Sequence, residues 1–224
     1  QGLGGEIHHQ RAAQALQVAT GPNSSLELTM DGADGELTRL TGTLKVDVFG
    51  FVKVEGDFGI EAKQGQQVRL AGIEDDKTTQ EDETLVTVDM LLIGGSNLTA
   101  YAGSGEVGLN LTGVDFGLAL LTEQVTGDPA PVARTWTSAQ ATVEAASFDG
   151  VEGLTVEVRT LELQVNRQAT DQSVVDYALT ADKSDAADAR NTALTVPTGP
   201  ESGFELTMDG ADGKLTRLTG NLTL

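Results

Sequence analysis

The chain contains no cysteine, only two histidines and five prolines, and nine aromatic residues in 224, and its 14 basic residues face 34 acidic ones for a net charge of −20. Without cysteine, neither a disulfide framework nor a thiolate metal site can form. With so few lysines and arginines, nucleic acid is not expected as a partner, because a phosphate backbone is held by neutralising basic groups. Anionic membrane surfaces are disfavoured for the same reason, and cations are the natural counterpart. No apolar run approaches the roughly 18 residues that a membrane-spanning helix needs, so membrane insertion is not expected. Nothing near Gln1 has the basic and then apolar pattern of a signal peptide. The expectation is therefore a soluble segment, processed or excised from something longer.

What the chain does have is threonine and glycine, 27 of each. Threonine with valine and leucine suits pleated strands, while glycine and aspartate supply the turns between them. Apolar and polar residues alternate through Leu26/Leu28/Met30, Val107/Leu109/Leu111, Val114/Phe116/Leu118/Leu120, Leu154/Val156/Val158, Leu161/Leu163/Val165 and Phe204/Leu206/Met208. This is the period-two pattern of half-buried strands. The alternation slips by one residue at Thr112-Gly113 and again at Arg159-Thr160. A slip would turn every later side chain to the other face, so each predicts a bulge, a bend or a tight corner.

The most informative pattern is a repeat. Residues 15–46 return as residues 193–224 at an offset of 178, with 23 of 32 positions identical. The spacing predicts one full repeat over 1–178 and the start of the next over 179–224. Strands are expected over 26–178, with a short helix over 8–17 on its alanine and glutamine content. The alternative organisation is a single domain with a duplicated terminal hairpin. The acidic segment Ile73–Glu83 and the proline-containing Thr126–Val132 read as loops. Many strands of similar length joined by Gly/Asp corners predict an all-β protein, either an elongated β-solenoid or a long meandering β-sandwich.

Several strings could carry chemistry. His8-His9 are adjacent, whereas a zinc site needs ligands converging from separated positions. Neither histidine recurs in the second copy, so a catalytic triad would not belong to the repeat, and no enzyme is expected. Gly103–Gly108 matches GxGxxG, but a strand follows where phosphate binding needs a helix, so it reads as a turn. The carboxylates of the Asp-Gly corners, Asp31 and Asp34, their copies Asp209 and Asp212, and Asp149 with Glu152, are candidate calcium ligands. Calcium takes several carboxylate and carbonyl oxygens, although Asp and Gly also form plain turns without a metal. Calcium is thus the one candidate cofactor. Asn23, Asn97, Asn110 and Asn221 open glycosylation sequons. Trp136 reads as a core residue, and with Tyr101 and Tyr177 it makes thin provision for stacking sugar rings.

A run of short motifs adds a family resemblance. Phe51–Ile60, Asp89–Asn97, Ala102-Gly103, Val107–Leu109, Leu111–Leu120, Arg134–Trp136 and Gly153–Val158 follow in an order that resembles the repeat unit of giant, highly repetitive bacterial surface proteins of the LEPR-XLL type. The resemblance implies an extracellular or cell-surface structural role and carries over no catalytic residue. The expected function is a structural repeat of a long extracellular fibre, sheath or stalk, assembling end to end with neighbouring repeats or identical subunits through strand pairing. Leu215, Leu218, Leu222 and Leu224, with Leu26 and Leu28, are the candidate assembly residues. The alternative is a calcium-dependent adhesin that binds a glycan or surface ligand, and the least favoured reading is a polysaccharide-acting enzyme.

Overall fold

The computed structural model describes residues 16–21, 24–28, 36–72, 84–152, 156–178 and 193–223, which belong to two compact units, Gln1–Gly35 and Glu36–Leu224. Strands dominate, and there is no α-helix among the described residues. In the first unit β1 (Leu16–Gly21) and β2 (Ser24–Leu28) form an antiparallel hairpin, with Leu16 opposite Leu28 and Val18 opposite Leu26. Of the helix expected over 8–17, Leu16 and Gln17 are strand instead, because cross-strand pairing outweighs local helix composition; positions 8–15, His8 and His9 included, lie outside the described residues.

The second unit is an antiparallel meander. Its strands β3 (Leu37–Val48), β4 (Val52–Ala71), β5 (Thr84–Ser104), β6 (Val107–Glu123), β7 (Thr135–Asp149) and β8 (Val156–Arg167) each pair with the next. The short β9 (Val174–Val175) folds onto the end of β4. A separate hairpin of β10 (Leu194–Pro197) and β11 (Gly203–Leu206) lies across one face of the sheet, and β12 (Leu215–Thr223) then rejoins the sheet beside β8. The strand order is β12-β8-β7-β6-β5-β4-β3.

All-β is therefore the fold class, but the solenoid alternative is overturned. A solenoid needs parallel coils stacked by crossovers, whereas here every neighbour in the main sheet is antiparallel. The cause is local: connections as tight as Gly105-Glu106 between β5 and β6 can only reverse the chain. Among the described residues, the second layer over this meander is the two-stranded sheet of β10 and β11.

The two slips in the alternation coincide with irregular register. Gly113 has φ 59° where β5 and β6 shift between Leu98 and Ala100, and Thr160 has φ 54° where β12 and β8 shift between Thr219 and Asn221. The string Gly103–Gly108 spans the two-residue turn Gly105-Glu106 and the strand ends that flank it, with the Tyr101 hydroxyl donating to the Gly105 carbonyl at 2.9 Å.

The core lies under the covering hairpin at one end of the long strands. Leu70, Val88, Met90, Leu92, Ala119, Leu121 and Trp136 from the sheet meet Val196, Leu206 and Met208 from the second copy. The opposite face of the same strands is also apolar. One row there runs Leu40, Ile60, Ile93, Leu118, Ala139 and Val165, each opposite the next. Alternation therefore identified Phe116, Leu118 and Leu120 as one face, yet the buried partners on β6 are Gly117, Ala119 and Leu121.

Candidate functional site: a glycine-lined seat and two sheet edges

The acidic corners are engaged in turn chemistry. Asp149 ends β7, and its carboxylate accepts from Asn110 Nδ2 at 2.7 Å and Ser147 Oγ at 3.0 Å. Glu152 lies beyond it in the connection to β8. Asp209 caps the 3-10 turn Gly210–Asp212, accepting from the Ala211 amide at 2.8 Å, and Asp212 pairs with Arg217 at 3.1 Å. Asp149 sits opposite Gly108 near the start of β6, whereas Gly210 abuts Ala71 at the far end of β4, so the structure does not bring these two corners together. Among the described residues no three His, Cys, Asp or Glu side chains converge on one point. Asp31 and Asp34 lie outside the described residues.

The second copy builds a different kind of site. Gly59, Gly94 and Gly117 stand side by side on β4, β5 and β6 in direct register. They form a bare strip on which β10–β11 rests. A Cβ at Gly59 or Gly94 would lie 2.5 Å from the Pro197 carbonyl oxygen, and one at Gly117 would lie 3.1 Å from Phe204 Cδ1 and Val196 Cγ2. Only glycine lets the hairpin backbone come so close to the sheet. Gln140, opposite Gly117 on β7, continues the row and pins the hairpin, accepting from the Thr207 amide at 3.1 Å. Val196 and Leu206 are fully buried there, and Phe204 packs against the same cluster.

The strands after the two hairpins occupy opposite borders of the sheet. β3 pairs with β4 at one border, and its copy β12 pairs with β8 at the other. An even number of antiparallel steps separates them, so they run in the same direction. They also present the same face to the core side: Arg39 lies opposite the buried Glu61, and Leu215 packs on the core cluster. Two strands of closely similar sequence, with the same direction and facing, thus use opposite hydrogen-bonding edges. Among the described residues, the second edge of each has no strand partner.

Of the candidate assembly residues, Leu215 is half-buried against the core and Leu218 is exposed. Leu222 takes its register opposite Val158, and Leu26 and Leu28 lie in β2. Leu224 lies outside the described residues.

Two charge clusters were not anticipated from sequence. Glu61 is buried between Arg39 and Lys63, with Lys63 Nζ at 2.8 Å. Arg134 bridges Glu123 and Asp171 at the rim of the core and lies 5.2 Å from the Trp136 ring centre. Hydrogen bonds from Arg134 hold the Glu123 carboxyl below its ordinary value. Burial would raise the Asp171 carboxyl, but bonds from Ser173 and Arg134 outweigh it and leave it lowered. The Arg134-Thr-Trp136 string places the cation and the ring on one strand face, two residues apart, and was the one local signal for this cluster. The indole of Trp136 is buried and donates to Ser173.

No family model matches this chain, and no curated protein or solved structure does either.

Proposed function

We propose that this chain is a structural tandem-repeat segment in which one β-sheet continues from copy to copy, as part of an extracellular or cell-surface fibre, sheath or stalk. The observation that supports this reading is the placement of equivalent strands at opposite borders. A strand in the β3 position of an internal copy pairs with β4 of its own copy through one edge and with β8 of the preceding copy through the other. Every edge is then filled, which removes the exposed backbone that makes free sheet borders prone to aggregation.

The arginine on this strand fits both neighbours. Arg39 reaches Glu61 through Nε, while its copy Arg217 reaches Gln164 at 3.2 Å and Asp212 at 3.1 Å through the two terminal nitrogens. One guanidinium has enough donors for all three. Each repeat contributes the six strands β3 to β8, advancing the sheet by roughly 29 Å and turning it on the order of 120–150°. Stability would pass between neighbours as in other repeat proteins. The charge of −20 on the chain would make the array a polyanionic rod that repels its neighbours. The absence of cysteine, this acidity and the sequence resemblance favour an exterior location.

A chain lengthened by one period, with the 178 residues 47–224 repeated in line after Leu224, tests the reading. Amides of Leu215–Thr223 that exchange freely at the outer edge become protected when the strand is internal, and urea unfolding stays a single transition with a larger m-value. Unchanged exchange at that strand, with two independent transitions, would overturn it.

A further inference from the structure

The core of the second unit is completed by residues from the second copy, which leaves the first-copy hairpin to be accounted for. Hairpins β1–β2 and β10–β11 share one register at the 178-residue offset: Leu16 opposite Leu28 returns as Leu194 opposite Leu206, Val18 opposite Leu26 as Val196 opposite Phe204, and Ala19 opposite Ser25 as Pro197 opposite Gly203. The residues that seat the second hairpin have counterparts in the first. Val196, Leu206 and Met208 in the core correspond to Val18, Leu28 and Met30. Gly210, where a Cβ would lie 2.7 Å from both Ala71 and Asp176, corresponds to Gly32.

The differences are mutually adjusted. A Cβ at Gly203 would lie 2.5 Å from Thr195 Cγ2. In the first copy Ser25 stands at that position, and Gln17, which has no Cγ2, stands in place of the threonine. The side chain that appears on one strand is matched by the branch that disappears from the other, so both sequences fit one hairpin backbone.

We infer that β1–β2 is the cover for the sheet of a second copy of this repeat, seating on its Gly59–Gly94–Gly117 strip as β10–β11 seats on the strip of this one. The inference rests on the tandem reading above and adds that neighbouring copies share a hydrophobic core as well as a sheet edge. Each copy then lends its first hairpin to the copy before it. Without a borrowed hairpin, Leu92, Ala119 and Leu121 lose their apolar cover.

Two variants of the full chain test this. The first grafts the first-copy residues onto the seated hairpin: Thr195→Gln, Pro197→Ala, Glu201→Asn, Gly203→Ser and Phe204→Leu. It is expected to unfold cooperatively with a Tm within about 8 °C of the parent, since the sizeable losses are part of the half-buried Phe204 ring and the ring of the buried Pro197. Loss of cooperative unfolding would overturn the inference.

The second variant, Val196→Asp with Leu206→Asp, unseats the resident hairpin and opens the strip to β1–β2 of another molecule. Sedimentation is expected to show concentration-dependent association that disappears when Val18→Asp and Leu28→Asp are added. A folded variant that stays monomeric at every concentration, or association that survives the added aspartates, counts against the seat. The graft decides the question even where the aspartates prevent folding. A failed graft alongside strong protection of Leu215–Thr223 in the two-period chain would refute the shared core and leave the continuous sheet standing, and the reverse pair of results would do the opposite.

Discussion

Replacing Gly94 by alanine is the most direct probe of how the covering hairpin is held. The new Cβ would stand 2.5 Å from the Pro197 carbonyl oxygen and 3.0 Å from both Val196 Cγ1 and Thr198 Cγ2. Relief requires the hairpin to move off the sheet by close to 1 Å, because carbon contacts settle at about 3.5 Å. The hairpin will shift rather than leave, since releasing Val196, Leu206 and Met208 to water would cost about 1.5–3 kcal/mol each. Overpacking of this kind costs about 1–3 kcal/mol, and exchanging glycine for alanine returns about 0.4–1 kcal/mol by restricting the unfolded chain. The net loss is then about 1–2 kcal/mol, a fall in Tm of roughly 2–8 °C for a unit of this size.

Urea unfolding followed through the fluorescence of Trp136, the only tryptophan, measures this directly. Gly42→Ala is the control, because its Cβ would meet nothing nearer than Phe58 Cε1 at 4.0 Å. That variant should match the parent or gain up to about 0.5 kcal/mol. If Gly94→Ala is as stable as the parent, or Gly42→Ala falls by the same amount, the close approach does not set the position of the hairpin.

Two further substitutions probe the rim of the core and the turn after the hairpin. Arg134→Met removes the partner of both Glu123 and Asp171, whose carboxyls are held below their ordinary values. Their contribution to stability is complete above the unfolded carboxyl range near pH 4 and is lost as pH falls through the lower folded values. The variant should therefore lose about 1–3 kcal/mol at neutral pH and less at pH 2–3, which paired urea titrations would detect; an equal loss at both pH values would contradict the assigned role. Asp209→Ala removes the cap from the Ala211 amide and should cost about 0.5–2 kcal/mol by thermal melting, with Asp209→Asn restoring most of it.

How much of this could be read beforehand varies with the range of the interaction. Strand content, the turn at Gly105 and the irregularities at Gly113 and Thr160 were open to inspection because each arises from neighbours a few residues apart. The buried face of β6 was not. Phe116, Leu118 and Leu120 are larger than Gly117, Ala119 and Leu121, yet the smaller set faces the core because the hairpin needs room there. Composition cannot separate a glycine that only turns the chain from one that admits another backbone. Glu61 and Arg134 escaped notice for a related reason: their partners Arg39 and Asp171 lie 22 and 37 residues away and meet them only through sheet register and loop packing.

The calcium candidates show the same division. Asp209 and Asp212 are bound into a local cap and an arginine pair within five residues, a use that the Asp-Gly composition already permitted. Their distance from Asp149 along the sheet is a property of the meander alone.

The sequence by itself determined that this chain is all-β and that two segments 178 residues apart, identical at 23 of 32 positions, pair alike where both are described, Leu16 with Leu28 as Leu194 with Leu206, since closely similar strands fold to one hairpin register. Only the tertiary structure decided where those copies go. Pairing partners are chosen by contacts between segments far apart in the chain, so two closely similar strands could be placed at opposite borders of one sheet, and one hairpin could be laid on a glycine strip formed by three other strands. The repeat established what each piece is, and the sheet determined what it joins.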